Sequence, residues 1–300
     1  MNESPQNPLP CSDTVTHTRN SFIVMQIKIE HSGIPYHFET SEVQSLAIPM
    51  DFEGTQPNHF GTEKAVSSPL ELGDFVGETE SGGSCNVDVI QLIPHCNGTH
   101  TETISHIVHE DIWIGHAVQK PILVAALLTV NVIGASKTHD SYRPQFDTVD
   151  AVIDVSALRS SAERFQLKKL NPEALIIRSN PNSVDKKSRN YNEKNQPPFL
   201  TIEAIKWVND LGVRHLLVDF PSVDRMYDDG LLTNHHLFWN VKEGTHQLND
   251  QSWQDKTITE MIFVPDEIAD GAYALNLQFP SFCADAAPSR PVIMPLEVAR

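Results

Sequence analysis

The sequence predicts an α/β fold, and three observations in its second half lead to that prediction. Three apolar runs, 151–155, 174–178 and 215–220, have the length and composition of buried strands. Segments 156–167 and 201–211 are helix-like, and the second has apolar residues spaced for one face and ends before a glycine. These strands and helices alternate along the chain, which is typical of helices packed on a sheet.

Further strands are predicted elsewhere in the chain. Apolar and polar residues alternate in 21–29, which predicts a half-buried strand, and 36–40 is its predicted hairpin partner. Segment 87–94 is rich in β-branched residues and predicts another strand. The most apolar segment, 121–135, has about fifteen residues, which are too few to span a bilayer. We therefore expect it to form one or two buried strands. The alternating segment 271–280 predicts a strand near the C-terminus.

Two segments have the composition of loops. Segment 48–68 is rich in Pro, Gly, Asn and Thr, and contains Asn58, His59 and Phe60. An amide, an imidazole and a phenyl ring in succession suit a pocket for a planar substrate, and a surface turn is the alternative. The polar run 179–198 carries four basic residues and predicts a long solvated loop.

Composition restricts the partners and the location. A formal net charge of −17 repels phosphate, so we expect no nucleic acid partner. The four cysteines are widely spread without a Cys-x-x-Cys pair, which predicts reduced thiols in a cytoplasmic protein. Residues 1–20 are polar and lack the apolar run of a secretory signal, so we expect a mobile tail there. We expect residues 21–300 to form a single domain. We also expect no membrane partner.

The densest group of metal-ligand residue types lies within twelve residues and consists of His95, His100, Glu102 and His106. If the chain is extended here, His100 and Glu102 project from the same face and converge on one cation. A tight turn at Gly98 would let His95 fold back toward them, and His106 would serve as ligand or proton carrier. The chain contains 14 histidines, so a set of hydrogen-bonded surface histidines stays open as an alternative.

Residues 98–106, with the pattern Gly-Thr-His-x-Glu-x-x-x-His, resemble a motif of the cyclase family of metal-dependent hydrolases. That motif is His-x-Gly-Thr-His-x-Asp-x-Pro-x-His, and the family includes bacterial kynurenine formamidases and is similar to isatin hydrolases. The chain departs from it in three ways. One extra residue separates His95 from the Gly-Thr-His core, Glu102 replaces the aspartate, and Ile104 and Ser105 stand where the family has a proline and its neighbour.

The segment 219–224, Asp-Phe-Pro-Ser-Val-Asp, is similar to the family's Asp-x-Pro-Ser-Val/Ile-Asp. Asp219 and Asp224 also suit capping of the loop and of the following helix. Further on, two histidines are consecutive, and consecutive side chains on a helix point about 100° apart. The family's register selects His235 as the ligand, with His236 as the alternative.

The segment 257–265 resembles the family strand that offers a glutamate ligand, which would be Glu260. Apolar residues flank Glu260, and a buried carboxylate requires a compensating cation. The resemblance thus implies that His95, His100 and Glu102 hold one divalent ion, Zn²⁺ or Mn²⁺, and that His235 and Glu260 complete its site or bind a second ion.

For the fold, the resemblance implies a swivelling β/β/α domain with a central barrel-like β-sheet and outer helices. Members often assemble as dimers or larger, so it also implies a homo-oligomer, a dimer or a tetramer. In this family the loop after the first strands tends to reach the active site, which supports Asn58, His59 and Phe60 as substrate-binding residues.

By its position, His106 corresponds to the family's proton-transfer residue. The resemblance implies that activated water attacks the amide carbonyl of a small-molecule substrate and that His106 carries the proton to the leaving nitrogen. The expected substrate is an N-formyl arylamine, as for the kynurenine formamidases of tryptophan catabolism. Two alternatives stay open: hydrolysis of an isatin-like lactam or a lactone, and a non-catalytic binding protein on this fold.

Overall fold

The computed structural model describes residues 25–165 and 167–299. The predicted tail at 1–20 and the first residues of the predicted strand at 21–29 lie outside this part of the chain. The strands are, in chain order, β1 Gln26–His31, β2 Ile34–Glu39, β3 Gln44–Ser45, β4 Val66–Pro69, β5 Glu71–Leu72, β6 Phe75–Val76, β7 Asp88–Gln91, β8 His100–Glu102, β9 Leu123–Asn131, β10 Ile133–Gly134, β11 Ala151–Ile153, β12 Ala174–Asn180, β13 Phe199–Leu200, β14 His215–Val218, β15 Thr257–Glu260, β16 Gly271–Asn276, β17 Ala286–Pro288, β18 Val292–Pro295 and β19 Glu297–Val298. The helices are α1 Pro94–Asn97, α2 Val155–Arg164, α3 Leu167–Leu170, α4 Ile202–Asp210 and α5 Thr233–Trp239. Short 3₁₀ turns lie at Ile104–His106, Ile114–His116, Ala135–Lys137 and Val184–Ser188.

Nine strands form the central sheet in the order β17-β8-β15-β14-β12-β9-β16-β18-β3. The four strands β15, β14, β12 and β9 are parallel to their neighbours in this group. The strands on both sides of this group pair in antiparallel fashion. The sheet curls into a half-barrel, and the helices are few. The predicted α/β fold with a barrel-like sheet and outer helices is confirmed.

The central strands are apolar throughout because both faces of the sheet are covered. On β9, Ala126 and Leu128 belong to the core beneath the helices, whereas Ala125 and Leu127 belong to a second core on the opposite face. β12 and β14 show the same division between alternate residues. A strand buried on both faces reads as a continuous hydrophobic run, which is the pattern that predicted these strands.

The outer helices begin and end where side chains can satisfy their backbone groups. Asp154 accepts a hydrogen bond from the Ala157 amide at the start of α2, and Thr201 accepts one from the Ala204 amide at the start of α4. Gly212, with φ of +75°, follows α4 as predicted. α2 ends earlier than predicted, at Arg164. Within the described ranges, no helix is long and apolar enough to cross a membrane.

The predicted N-terminal hairpin is present, because β1 and β2 pair in antiparallel fashion over their full length. The predicted strand at 87–94 is observed as β7, which pairs with β4 in a separate two-stranded ribbon. Its side chains are exposed on both faces, so the apolar composition of β7 does not place it in the core. The segment after β7 leads directly into α1 and the histidine motif.

The prediction of a solvated loop at 179–198 is wrong in its first half. β12 extends to Asn180, and a 3₁₀ turn follows. Lys186 is only 5% exposed, and its Nζ donates to Asp219 Oδ2 at 2.8 Å and to the Ser179 carbonyl at 2.8 Å. The carboxylate at the end of β14 thus compensates the buried ammonium group, a pairing that the local composition does not reveal.

A buried histidine at the start of β14 makes the fold sensitive to acid. Burial lowers the pKa of His215 from 6.5 to about 4, and its Nδ1 shares a 2.9 Å hydrogen bond with Thr257 Oγ1. As the pH falls, the unfolded chain therefore binds a proton at His215 before the folded protein does. The contribution of neutral His215 to the free energy of unfolding is complete above the unfolded pKa and is lost between about pH 6.5 and pH 4. We expect this group to remove about 2 kcal/mol of unfolding free energy between about pH 7 and pH 5.

Urea unfolding of the wild type and His215→Gln at both pH values measures this effect. Glutamine keeps a hydrogen-bonding group but does not titrate, so the variant should lose less stability on acidification. An identical loss in both proteins would show that His215 does not cause the acid sensitivity.

Candidate metal centre

The structure brings His100, Glu102 and Glu260 together on neighbouring strands. β8 lies between β15 and β17, so hydrogen bonds on both sides fix its position. His100 and Glu102 are two residues apart on β8 and point to the same face, and Glu260 on β15 is the direct partner of His100. All three side chains are nearly inaccessible to solvent, and His100 Nε2 lies 3.5 Å from Glu260 Oε2.

The donor atoms of this group fit a divalent cation. His100 Nδ1 lies 2.9 Å from the Gly98 carbonyl oxygen, which can only accept, so Nδ1 carries the hydrogen and Nε2 keeps its lone pair. Among the described residues, the buried His100 Nε2 and Glu102 Oε2 have no well-aligned hydrogen-bond partner. Buried polar atoms without partners are costly, and a cation between them would satisfy both.

His95 reaches the same carboxylate from the preceding turn. It lies in α1, which starts at Pro94, and proline is favoured at the first helical position. Its Nδ1 is 3.1 Å from Glu102 Oε2, but the chain reverses in α1 and not in the expected turn at Gly98, whose backbone is extended. The extra residue before the Gly-Thr-His core therefore does not keep His95 away from the cluster.

Helix α5 presents His235 to the opposite oxygen of the same carboxylate. His235 Nε2 lies 3.0 Å from Glu102 Oε1, and its Nδ1 donates to Asp224 Oδ2 at 2.6 Å. Asp224 also accepts hydrogen bonds from the backbone amides of Asn234 and His235, so it caps α5 and orients the imidazole at the same time. The imidazole that reaches Glu102 is that of His235, so the geometry favours His235 over His236.

Glu260 is held from behind by the segment that precedes α5. Its Oε1 accepts a hydrogen bond from the Val223 amide at 2.8 Å and lies 3.9 Å from His235 Nε2. Asp219, the other aspartate of this segment, does not approach the cluster but pairs with Lys186. The capping interpretation therefore agrees with the contacts of Asp224, which also contacts a candidate ligand, but not with those of Asp219.

Two sets of three possible ligands share Glu102. One set consists of His95, Glu102 and His106, and the other of His100, Glu102 and Glu260, with one ligand atom per residue lying within 4.8 Å of the others. The sequence grouped His95 with His100, whereas the structure groups it with His106. A carboxylate common to two sets can bind one ion or bridge two.

The electrostatics of the cluster follow from carboxylates buried next to imidazoles. Burial opposes the charged forms, but the nearby His106 and His235 hold the pKa of Glu102 well below its usual range. Burial likewise opposes protonation of His95, but its contacts with Asp285 and Glu102 raise the pKa of His95 to about 10. Glu102 and Asp224 raise the pKa of His235 in the same way. Protons on these imidazoles thus compensate the buried carboxylates, and a divalent cation would have to displace them in order to bind.

Asp285 is a member of the cluster that sequence reasoning missed. Its Oδ2 lies 2.9 Å from His95 Nε2 and 3.5 Å from His106 Nδ1. These two imidazoles hold the pKa of Asp285 well below its usual range. No motif surrounds Asp285, so the only signal in the sequence was an aspartate immediately before a short apolar stretch.

A cavity of about 120 Å³ opens beside the cluster and includes His95, His106, His235 and Glu260 in its wall. His59 and Phe60 also line it, together with the apolar side chains of Pro221, Met226 and Leu232. The loop at 48–68 therefore lies beside the histidine cluster, where the resemblance implied that it would lie.

The three predicted substrate-binding residues have different positions. Burial, together with the neighbouring imidazoles of His100 and His95, lowers the pKa of His59 to about 3, so its imidazole is neutral. Phe60 stacks on His59 with ring centroids 4.0 Å apart and is 51% exposed. Asn58 is not among the described residues that line the cavity. Its Nδ2 donates a hydrogen bond to the Thr62 carbonyl at 2.9 Å and stabilises the loop.

The chain is similar to a known protein family and to several curated proteins. The Cyclase family model matches residues 23–225. A kynurenine formamidase from Bacillus cereus is 32% identical over 150 residues, which cover 48% of this chain and 61% of that protein. A kynurenine formamidase from Bacillus anthracis is 31% identical with the same coverage. The matched region thus spans about three fifths of the length of these curated relatives.

Solved structures share the fold at low sequence identity. A crystal structure described as a novel cyclase has a TM-score of 0.56 at 14% identity, covering 86% of this chain and 90% of that one. An isatin hydrolase bound to the product analogue thioisatinate has a TM-score of 0.51 at 12% identity, covering 85% of this chain and 94% of that one.

Proposed function

Since the chain belongs to the cyclase family, we propose that it is a metal-dependent hydrolase that cleaves the C–N bond of an amide, with an N-formyl arylamine as the substrate class. One observation carries the proposal. Glu102 is fully buried between imidazole nitrogens on both of its oxygens, and the lone pair of His100 Nε2 next to it has no partner among the described residues. This arrangement fits a catalytic cation better than a structural hydrogen-bond network.

The residues proposed to hold the ion are His95, His100, Glu102, His235 and Glu260. They offer imidazole nitrogens and carboxylate oxygens, which suit Zn²⁺ or Mn²⁺, and the shared Glu102 allows one or two ions. When bound, such an ion acidifies a coordinated water and polarises a carbonyl group.

His106 is proposed as the proton carrier. It lines the cavity, and its side chain is 26% exposed, so it can reach both substrate and solvent. It would accept the proton of the attacking water and donate it to the leaving nitrogen. The structure also groups His106 with His95 and Glu102, so a role as metal ligand is the alternative. Mutation of His106 must distinguish this role from proton transfer.

Phe60 in the cavity wall and its neighbour Tyr227 favour a substrate with an aromatic ring. Phe60 and Tyr227 are both substantially exposed, and their rings meet edge to face with centroids 6.0 Å apart. Phe60 has φ of +63°, a backbone conformation that is uncommon for a bulky residue and often found at functional sites. An aryl ring docked against this pair would lie next to the neutral His59, which can hydrogen-bond its polar group.

Replacing Phe60 with alanine should therefore weaken substrate binding. We expect KM to rise roughly tenfold with kcat nearly unchanged, because the ring contacts substrate and transition state equally. Phe60→Leu, which keeps apolar area without a ring, serves as the matched variant. Its KM should lie between those of the wild type and Phe60→Ala. Steady-state kinetics on an aryl formamide measure both constants, and a fall in kcat at constant KM would contradict a substrate-binding role.

A substrate panel tests the proposed reaction and its main alternative. Glu102 in place of aspartate and the extra residue after His95 distance the site from the formamidase motif, which favours a ring amide or a lactone as the second candidate. Formyl arylamines, lactams and lactones should be assayed with Zn²⁺ and with Mn²⁺. Turnover of formyl arylamines supports the proposal, and turnover confined to rings supports the alternative. A protein that binds neither metal would instead be a non-catalytic member of the fold.

We also infer that the protein is a cytoplasmic homo-oligomer, a dimer or a tetramer, without a nucleic acid or membrane partner. The spread of its cysteines and its negative charge support the location and the lack of nucleic acid partners. Multi-angle light scattering of the purified chain distinguishes a monomer from the proposed oligomers.

A further inference from the structure

The position of Asp285 is fixed by its backbone. β17 pairs with β8 so that Ala286 faces Glu102. Asp285 lies one residue outside this ladder, and its carbonyl oxygen accepts from the Thr103 amide at 2.9 Å and from Thr103 Oγ1 at 3.2 Å. The carboxylate is therefore delivered to the histidine cluster by the same sheet that carries His100 and Glu102.

One oxygen of Asp285 contacts two imidazoles that play different roles in the proposed reaction. Oδ2 is 2.9 Å from His95 Nε2 and 3.5 Å from His106 Nδ1, and these two rings stack with centroids 4.3 Å apart. An ionised carboxylate only accepts hydrogen bonds, so it favours a hydrogen on each of these two nitrogens.

This preference determines which nitrogen of each ring remains available. When an ion displaces the proton on Nδ1, His95 keeps its hydrogen on Nε2 and presents the lone pair of Nδ1, which lies 3.1 Å from Glu102 Oε2, toward the ion site. With its hydrogen on Nδ1, His106 keeps Nε2 for proton exchange. The side chain of Asp285 is 40% exposed, so the carboxylate that contacts both rings is accessible to solvent and is not part of the protein core.

We propose that Asp285 is a positioning residue whose single carboxylate sets the tautomers of His95 and His106, and so couples metal affinity to proton transfer. The proposal rests on the metal-dependent function proposed above. It differs from a simple surface ion pair because removal of the carboxylate must change the properties of both histidines.

The test compares Asp285→Ala and Asp285→Asn with the wild type, using Asp111→Ala as a matched control at an exposed aspartate. The zinc dissociation constant is measured by competition with a chromogenic chelator. Asp285→Ala should weaken zinc binding about 10–100-fold, the usual cost of losing a group that orients a metal-bound histidine. Asp285→Asn keeps an accepting oxygen without the charge, so its zinc affinity should lie between those of the wild type and Asp285→Ala. The zinc affinity of Asp111→Ala should match that of the wild type.

A second measurement reports the tautomers directly. Long-range ¹H–¹⁵N spectra of histidine-labelled, zinc-loaded protein should show that His106 loses its preference for a hydrogen on Nδ1 in Asp285→Ala. A thermal unfolding curve for each variant identifies loss of folding.

The outcomes separate the two proposals. If the wild type binds zinc and folded Asp285→Ala binds it equally well with unchanged tautomers, the positioning role is overturned and the metal site stands. If the wild type itself binds no zinc or manganese, the proposed function is overturned, and the role of Asp285 with it.

Discussion

Replacing His100 with alanine should abolish metal binding. His100 is completely buried, its Nδ1 is committed to the Gly98 carbonyl, and its Nε2 faces Glu260 without a hydrogen-bond partner in the described residues. It can therefore serve the proposed site only as a ligand through Nε2. Loss of a group that merely hydrogen-bonds a metal ligand typically costs about 10–100-fold in affinity, so loss of the ligand itself should cost more.

Elemental mass spectrometry of untagged protein, purified without added metal, measures this effect. We expect the wild type to retain one or two equivalents of zinc or manganese and His100→Ala to retain none. His139→Ala, at an exposed histidine, controls for non-specific binding by a histidine-rich chain. Circular dichroism establishes that the variant is folded. Unchanged metal content in folded His100→Ala would refute the core of the proposed site.

Replacing His106 with alanine should leave metal binding nearly intact and reduce kcat by roughly 10²–10⁴, the range for loss of a general acid or base. The physical reason lies in its position. His106 Nδ1 is 3.9 Å from Glu102 Oε2, farther than His95 Nδ1 at 3.1 Å, and the ring lies in the wall of the cavity where a substrate would bind.

Steady-state kinetics and metal content must be measured on the same preparation of His106→Ala. Added imidazole should restore part of the activity if the side chain transfers protons. His116→Ala, at an exposed histidine outside the cluster, should behave as the wild type. Loss of the metal in His106→Ala would show instead that His106 is a ligand, as its grouping with His95 and Glu102 allows.

The spacing of His100 and Glu102 illustrates what short-range information can predict. Their i, i+2 spacing predicted a shared face if the chain were extended, and β8 is extended. Similarly, the apolar runs at 174–178 and 215–220 predicted buried strands, because strands covered on both faces are apolar at every position. The site roles of His95, His106, His235 and Glu260 stay predictions, although the structure brings all four side chains to one cluster.

Other features required the complete fold. Asp285 contacts His95 across 190 residues of sequence, and His235 contacts Glu102 across 133. The composition around Lys186 predicted a solvated side chain, whereas a carboxylate 33 residues away allows it to be buried. The division of the histidines into two sets that share Glu102 also differs from the grouping that the sequence suggested.

The sequence by itself thus determined the α/β class, the buried strands at 151–155, 174–178 and 215–220 with the helices between them, and the shared face of His100 and Glu102, because side-chain periodicity is a local property of an extended or helical chain. The tertiary structure decided which distant groups lie beside the candidate residues: Asp224 behind His235, Asp285 between His95 and His106, and Tyr227 beside Phe60. These contacts depend on the order of strands in the curled sheet and on the loops that follow them. No local pattern encodes that order, because strands far apart in the sequence become neighbours only when the whole sheet has formed.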